Sequence, residues 1–263
     1  MMSISPDQGE LHLPVTPSAA PMPLVLLLHG STGTGAEMLR ESRLAQTADR
    51  HGFIVVAPNG GIPARGGYVW NIPGVQTVTG ALPPEDARDD VAYLSGLVDR
   101  LVASGCVDKG RVYATGLSGG GRMVSWLGCV APRRLAAIAP VVGLRAGRPS
   151  VTDPRRVDPS TCRPVVPIPV LAFAGDADTT NPIDGGGAPY WQYPQTAALQ
   201  RWAALDGCSD PYARAVTATV YEQGYGRCAA GGTVAVRVTR GGQHSWSVAD
   251  NDAMWRFFSR FER

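Results

Sequence analysis

The feature that most constrains this chain is a serine placed between a predicted strand and a predicted helix. Residues 116–120 read Gly-Leu-Ser-Gly-Gly and directly follow the apolar run 112–115. Apolar positions after them predict a helix over residues 121–130. Glycines on both sides of the serine allow a strand and a helix to pack closely around a strained turn. Such a turn would expose the hydroxyl of Ser118 as a nucleophile.

A serine hydroxyl is a weak nucleophile at neutral pH and needs a general base. One recurrent chain order for such sites is serine, then an acid, then histidine. Only one of the four histidines, His244, follows Ser118 in the chain. It lies in a short loop between the alternating strand pattern at 233–239 and a helix that begins near 249. We therefore predict His244 as the base.

The acid that orients the histidine is predicted on the loop after the apolar strand 169–174. Two aspartates of that loop compete, Asp176 and Asp178. The carboxylate has to lie beyond the end of the strand to reach the histidine, which favours Asp178. Asp176 has an alternative role as a turn former that binds its own backbone.

Ester hydrolysis also requires hydrogen-bond donors for the oxyanion. Residues 24–28 form an apolar run without alternation, which is typical of a strand buried in a parallel sheet. From the loop that follows this strand we predict the backbone N–H of Ser31 as one donor, with Thr32 as the alternative if the turn is offset by one residue. The second donor is the N–H of Gly119. His29 is predicted to support this loop by packing and hydrogen bonding.

Strand and helix patterns alternate along the chain. Strands are predicted at 24–28, 53–57, 111–115, 136–142, 169–174 and 233–239, and helices near 36–50, 87–103, 120–130, 194–206 and 249–261. This alternation predicts an α/β fold with a doubly wound, mostly parallel sheet and helices on both faces.

Length and composition favour one catalytic domain over residues 1–263, because a chain of this size with 44% hydrophobic residues can bury a full core. Residues 1–21 are interpreted as an N-terminal extension. The Pro- and Arg-rich segment 144–168 lacks a helical pattern, and we predict that it crosses the active-site face.

The formal net charge of +2 gives no reason to expect nucleic acid as a partner. No apolar stretch is long enough to cross a bilayer, so no membrane association is expected. We expect a monomer that acts on a small-molecule or polymeric ester.

Several segments together resemble one family. They are Leu28-His29-Gly30, residues 113–118, Ala137–Gly143, Gly175–Asp178 and Gly242–Trp246, with further agreement at Trp70-Asn71, 89–94, 185–191 and 202–208. The chain is similar over about residues 22–261 to the polyhydroxybutyrate-depolymerase-like branch of α/β-hydrolases, which includes feruloyl esterases. It departs from that pattern in the three glycines after Ser118 and in shortened strands before Leu24. The resemblance implies the α/β-hydrolase fold and a Ser118, Asp178 and His244 triad.

The five cysteines form no C-x-x-C pair and no zinc spacing, so metal binding is not expected. The resemblance suggests two disulfides, Cys129 with Cys162 and Cys208 with Cys228, and leaves Cys106 as a buried or partly buried thiol. Disulfides indicate an oxidising compartment. Residues 1–7 lack the pattern of a signal peptide. We therefore expect a secreted protein whose signal peptide is absent from this sequence.

Aromatic residues near the predicted site offer a hypothesis about the substrate. Trp70, Trp191 and Trp246 are predicted to wall the pocket, where their rings could stack on an aromatic acyl group. The other three tryptophans lie at helical spacing and are predicted to pack in the core; they are Trp126, Trp202 and Trp255.

The predicted activity is that of a serine carboxylic-ester hydrolase without a cofactor, acting through an acyl-enzyme. Candidate substrates are aromatic esters of the feruloyl type and polyesters such as polyhydroxybutyrate and poly(ethylene terephthalate). An acyltransferase would use the same acyl-enzyme with an alcohol as acceptor. A non-catalytic carbohydrate- or polymer-binding protein is the alternative from another class.

Overall fold

A mixed β-sheet of nine strands runs through the centre of the protein, in a computed structural model that describes residues 4–5 and 8–263. The strands are β1 (Gly9–His12), β2 (Met22–Leu28), β3 (Ile54–Pro58), β4 (Ile62–Ala64), β5 (Gly67–Val69), β6 (Val107–Leu117), β7 (Ala137–Val141), β8 (Val170–Gly175), β9 (Asp210–Ala215), β10 (Val220–Gly226) and β11 (Val234–Thr239). The helices are α1 (Gly35–Ser42), α2 (Leu44–His51), α3 (Asp90–Ala103), α4 (Gly119–Val130), α5 (Gln195–Leu205) and α6 (Asn251–Phe258).

The sheet order is β1-β3-β2-β6-β7-β8-β11-β10-β9, while β4 and β5 form a separate hairpin. The six strands from β3 to β11 in this order pair in parallel, and the outer pairings are antiparallel. All seven residues of β2 are buried, as are those of β3, β7 and β8. Apolar clusters lie on both faces of the sheet. The predicted doubly wound sheet is confirmed, because strands covered on both faces need no alternation of apolar and polar residues.

Three parts of the predicted element pattern differ from the structure. The predicted strands did not include β1, the β4–β5 hairpin or the β9–β10 hairpin. Strand β9 is almost entirely exposed and so has no apolar face. The predicted helix 36–50 is two helices, because Arg43 has a left-handed backbone with φ of +53° between them. Strand β6 also begins at Val107, four residues before its predicted start.

Two disulfides join parts of the chain that are distant in sequence, in the pairing that the resemblance suggested. Cys129 at the end of α4 is bonded to Cys162, and Cys208 is bonded to Cys228. The prediction for the fifth cysteine was wrong: Cys106 is an exposed free thiol, because it lies on the turn that leads from α3 into β6.

We expect the Cys129→Ser/Cys162→Ser double variant to unfold at a lower temperature. The bond closes a loop with a sequence separation of 33 residues. A closure of that length stabilises a fold by about 3 to 4 kcal/mol in the chain-entropy model. The melting temperature should fall by roughly 10 °C in calorimetry. Cys106→Ser is the matched control, and an equal fall in that variant would contradict the assignment.

Asp206 caps the end of α5 as a buried carboxyl, with 1% of its surface exposed. Its Oδ1 accepts a hydrogen bond from the N–H of Ile168 at 3.1 Å, and its Oδ2 has no partner among the described residues. Burial raises the pKa of Asp206 to about 7, although the Ile168 N–H and the charge of Arg263 act in the opposite direction. The folded state therefore binds this proton more tightly than the unfolded chain does.

Asp206→Asn should consequently change how stability depends on pH. In the wild type, the protonated carboxyl of Asp206 adds roughly 4 kcal/mol to the free energy of unfolding. This contribution is fully present below about pH 4 and is lost as the pH rises to about 7. We expect the melting temperature of the variant, relative to the wild type, to be higher at pH 8 than at pH 5. Exposed Asp184→Asn is the control. If the melting temperatures of variant and wild type differ by the same amount at both pH values, Asp206 ionises normally in the folded protein.

Candidate active site

Ser118 lies on a strained turn between β6 and α4, with φ of +53° and ψ of −109°. Its N–H donates to the carbonyl of Val141 at 2.9 Å, which ties the turn to β7. The turn is close to β2 as well, since a Cβ added at Gly120 would lie 2.2 Å from the carbonyl oxygen of Leu28. A larger residue at Gly120 would therefore push the nucleophile turn away from the sheet.

The structure brings Ser118, His244 and Asp178 into one line of hydrogen bonds. The distance between Ser118 Oγ and His244 Nε2 is 2.9 Å, and that between His244 Nδ1 and Asp178 Oδ2 is 2.7 Å. These distances are within the range in which a base takes a proton from a nucleophile. Each of the three residues follows the carboxyl end of a parallel strand, namely β6, β8 and β11.

The surroundings of Asp178 keep its carboxyl ionised. Burial raises its pKa, but hydrogen bonds from His244 and from the N–H groups of Asn181 and Thr180 outweigh that effect and hold the pKa below its ordinary value. Both N–H groups donate to Oδ1 at 2.8 Å, which leaves Oδ2 for the histidine. A carboxylate only accepts hydrogen bonds, so Nδ1 of His244 carries the proton and Nε2 is left to accept from Ser118.

Asp176, the alternative acid, is turned away from the site. Its Oδ1 accepts a hydrogen bond from the N–H of Gly241 at 2.6 Å, and the residue is exposed. This contact holds the loop after β8 against the turn after β11. The role is structural, as the sequence allowed for Asp176, but the side chain binds the backbone of a distant turn and not its own.

Ser31 lies against Gly119, the residue that follows Ser118. A Cβ added at Gly119 would be 3.1 Å from the nitrogen of Ser31 and 2.4 Å from its Oγ. The Ser31 N–H donates to no acceptor among the described residues, whereas the N–H of Thr32 donates to the carbonyl of Tyr68 at 2.8 Å. A donor that is already occupied is not available to an oxyanion, so the geometry favours Ser31 over Thr32.

His29 supports this loop from inside the protein. Its Nδ1 is 2.7 Å from the carbonyl oxygen of Gly30, and its Nε2 accepts from the N–H of Gly60 at 3.0 Å. Burial lowers the pKa of His29 to about 4, although the Gly30 carbonyl and the charge of Glu37 favour protonation. A neutral ring that donates at one nitrogen and accepts at the other satisfies both contacts. The predicted supporting role of His29 is confirmed.

All three tryptophans predicted to wall the pocket are buried in this structure, with Trp246 at 8% exposure. Trp70 is 4% exposed and donates from Nε1 to the carbonyl of His29 at 2.9 Å. Trp191 is 1% exposed and donates from Nε1 to the carbonyl of Pro182 at 2.8 Å, while the guanidinium of Arg145 covers its ring at 3.1 Å. Neither ring offers a free face for stacking, because both rings are occupied by protein contacts.

Trp246 has a different position, beside the histidine. It lines an open cleft of about 680 Å³ together with Leu117, His244 and residues of α1 and α2. Its Nε1 donates to Asn251 Oδ1 at 3.0 Å, which fixes the ring at the cleft wall. Stacking of a substrate on Trp246 stays a prediction.

The sequence analysis missed Arg122. Arg122 lies in the first turn of α4 and is 6% exposed, and its Nη2 is 3.4 Å from Ser31 Oγ. Its guanidinium carbon is 4.0 Å from the centre of the Tyr190 ring. A charged residue in the otherwise glycine-rich and apolar start of α4 was the available signal.

Within residues 4–5 and 8–263, no group of three or more His, Cys, Asp or Glu side chains is arranged to hold a metal ion. In the same part of the chain, no helix has the length and apolar character to span a membrane.

Comparison with solved structures shows the fold. An acetyl xylan esterase from Aspergillus awamori superimposes with a TM-score of 0.66 at 18% identity, covering 95% of this chain and 92% of that one. Esterase PE8 has a TM-score of 0.61 at 21% identity, covering 96% and 98% of the two chains. The chain has the α/β-hydrolase fold.

Curated relatives carry esterase and depolymerase names. Feruloyl esterase B of Piromyces equi is 28% identical over 249 residues, which are 91% of this chain and 42% of the relative. A poly(3-hydroxybutyrate) depolymerase of Ralstonia pickettii is 30% identical over 152 residues, which are 55% of this chain and 29% of the relative. The chain thus spans less than half the length of these relatives. The family model described as "Esterase PHB depolymerase" matches residues 9–152, more than half of the chain, and the chain therefore belongs to that family.

Proposed function

We propose that this chain hydrolyses carboxylic esters through an acyl-enzyme on Ser118. The observation that carries the proposal is the unbroken line of hydrogen bonds from Asp178 through His244 to Ser118, which ends on a strained turn next to two backbone donors. Structural histidine–carboxylate pairs are common in proteins, but they do not end on a serine held with positive φ at the end of a central strand. This combination is the arrangement that acyl transfer requires.

In the proposed reaction, Ser118 Oγ attacks the ester carbonyl while His244 Nε2 takes the hydroxyl proton. The imidazolium that forms is stabilised by the ionised Asp178, and it then delivers its proton to the leaving alcohol. Water attacks the acyl-enzyme with the same base and releases the acid. The lowered pKa of Asp178 supports this sequence, because the carboxylate has to stay ionised throughout.

The N–H groups of Ser31 and Gly119 are proposed to bind the oxyanion of both tetrahedral intermediates. One such donor contributes about a hundred- to a thousandfold in rate. His29 and Trp70 act indirectly, because they hold in place the loop that contains Ser31. His29 accepts a hydrogen bond from the N–H of Gly60, and Trp70 donates one to the carbonyl of His29.

As substrates we propose aromatic esters of the feruloyl type or polyesters, including polyhydroxybutyrate and poly(ethylene terephthalate). The names of the feruloyl esterase and poly(3-hydroxybutyrate) depolymerase relatives support this class. The cleft beside His244 is open, which suits a polymer chain, and Trp246 on its wall suits an aromatic ring.

We further propose that residues 1–263 act as one catalytic domain, as a monomer, and in a secreted setting. The two disulfides support an oxidising compartment, since such bonds are rare in reducing ones.

Ser118→Ala should abolish ester hydrolysis while leaving the fold intact. Loss of a triad nucleophile reduces turnover on the order of a millionfold. Initial rates on methyl ferulate, a hydroxybutyrate oligomer, a soluble terephthalate diester and nitrophenyl acetate measure both activity and preference. A fluorophosphonate should add one covalent group to the wild type in intact-mass spectrometry and none to the variant.

The matched control is Ser259→Ala, which removes an exposed serine at the end of α6. Labelling or turnover that persists in Ser118→Ala would reject Ser118 as the nucleophile. Preference for methyl ferulate that falls in Trp246→Ala would support stacking on that ring, and a preference for hydroxybutyrate would assign the chain to aliphatic polyesters.

Asp178→Asn should lower kcat by about ten-thousandfold, because an amide at this position favours the wrong imidazole tautomer. Asp176→Asn is the matched variant from the same loop, and it should retain most of the activity because Asp176 contacts only a backbone N–H. Steady-state kinetics with a single nitrophenyl ester are sufficient. Equal losses in the two variants, or a larger loss in Asp176→Asn, would reverse the assignment of the acid.

A further inference from the structure

Three arginines converge on a narrow cleft beside the nucleophile turn. Arg122 comes from α4, and Arg145 and Arg148 come from the segment 144–168. Tyr190 completes one wall, and the half-buried Trp126 lies on another. The cleft has a volume of about 30 Å³. A single water needs about 10 to 15 Å³ on this measure, so the space fits a group of two or three heavy atoms.

The hydrogen-bonding capacity of these guanidinium groups is largely unused. Buried nitrogens without a partner among the described residues are Nε of Arg122, Nε and Nη2 of Arg145, and Nε of Arg148. No carboxylate of the described residues lies within ion-pair distance of any of the three arginines. The charge of the partly exposed Asp158 acts on Arg148 without a direct ion pair.

Burying two unpaired guanidinium groups is costly, because each loses its hydration. Arg122 and Arg145 are each 6% exposed. Aromatic rings offset part of the cost: Tyr190 lies under Arg122 at 4.0 Å, and Trp191 lies under Arg145 at 3.1 Å. Rings cover only the faces of a guanidinium. On the edges, Nη1 of Arg145 donates to the carbonyl of Tyr193 at 2.8 Å, but the buried nitrogens named above still lack acceptors.

Both groups nevertheless keep their charge at neutral pH. Burial lowers the pKa of Arg122 to about 10, although the Tyr190 hydroxyl acts in the opposite direction. Burial also lowers the pKa of Arg145 to about 10, and the charge of Arg122 adds to that effect. The cleft therefore contains neighbouring positive charges that repel each other.

The cleft adjoins the reaction centre through Arg122. This residue is four positions after Ser118, and its Nη2 reaches Ser31 Oγ at 3.4 Å. Ser31 is the residue proposed to donate to the oxyanion. A ligand held by Arg122 would thus lie close to the scissile ester.

The segment that supplies the other two arginines is strongly basic. Residues 144–168 contain five arginines and two aspartates, a formal charge of +3 in a chain whose total is +2. The Cys129–Cys162 bond holds this segment on α4. The excess positive charge of the protein is therefore concentrated beside the site, where it attracts anions.

We propose that Arg122, Arg145 and Arg148 form a subsite for a carboxylate of the substrate, so that the preferred esters carry a free carboxylate near the scissile bond. This inference rests on the proposed esterase activity. A carboxylate has two acceptor oxygens in the geometry that guanidinium N–H groups match, and its size suits the cleft. The carboxylate belongs to the acyl group or to the alcohol group of the ester.

The first experiment compares kcat/KM for charged and neutral esters. Monomethyl terephthalate against dimethyl terephthalate tests a carboxylate on the acyl group, and benzoylglycolic acid against methyl benzoate tests one on the alcohol group. We expect the charged ester of one pair to be favoured by about tenfold or more, since hydrogen bonds to charged groups are the strong ones. Neutral esters favoured in both pairs, or equal rates, would overturn the subsite.

Single arginine variants test whether the preference for charged esters arises in the cleft. Arg148→Gln should reduce the charged-to-neutral ratio about tenfold, and Arg148→Lys should retain part of it. Arg156→Gln removes an exposed charge from the same segment and should leave the ratio unchanged. An equal reduction in Arg156→Gln would mean that the general basic charge of the segment, and not the cleft, causes the preference.

Binding to the inactive enzyme separates this proposal from the proposed function. At least one of monomethyl terephthalate and benzoylglycolic acid should bind Ser118→Ala in calorimetry, and its binding should weaken about tenfold when Arg148→Gln is added. Carboxylate binding without any wild-type hydrolysis would reject the esterase and keep the anion subsite. Hydrolysis of neutral esters with no binding of either acid would reject the subsite and keep the esterase.

Discussion

The strained backbone of Ser118 is the constraint on which the site depends. A serine with φ of +53° persists only where its surroundings over-determine it. Here the turn is held by the Val141 carbonyl on one side and by the close approach of Gly120 to Leu28 on the other. Because Leu28 ends the strand that leads into the loop of Ser31, this packing contact also places Ser118 relative to Ser31, the proposed oxyanion donor.

The loop that contains Ser31 also accounts for the positions of His29 and Trp70. His29 is kept neutral by burial and spans from the Gly30 carbonyl to the Gly60 N–H, while Trp70 binds the His29 carbonyl. A loop with two glycines has little stiffness of its own, so it depends on such side chains for a fixed shape. Aromatic rings near a reaction centre are thus used here to hold backbone in place. Trp246 lines the open cleft, with 8% of its surface exposed.

The residues of the candidate triad could be predicted because each follows a buried apolar strand and because histidine is scarce after Ser118. The central strands could be predicted for the same reason, since six parallel strands need unbroken apolar runs. The β9–β10 hairpin could not, because an exposed edge strand such as Asp210–Ala215 has no apolar face to recognise. The break at Arg43 and the burial of Trp191 depend on packing partners that are far away in sequence.

The arginine cleft brings together α4 and the segment 144–168, which the sequence analysis predicted to cross the active-site face. Arg122 is in a position to act on two negative charges, a substrate carboxylate and the developing oxyanion near Ser31. A bound carboxylate neutralises part of the positive field that would otherwise favour the oxyanion. With three arginines the carboxylate is shared: Arg145 and Arg148 compensate most of its charge, so part of the charge of Arg122 stays available beside the proposed oxyanion donors.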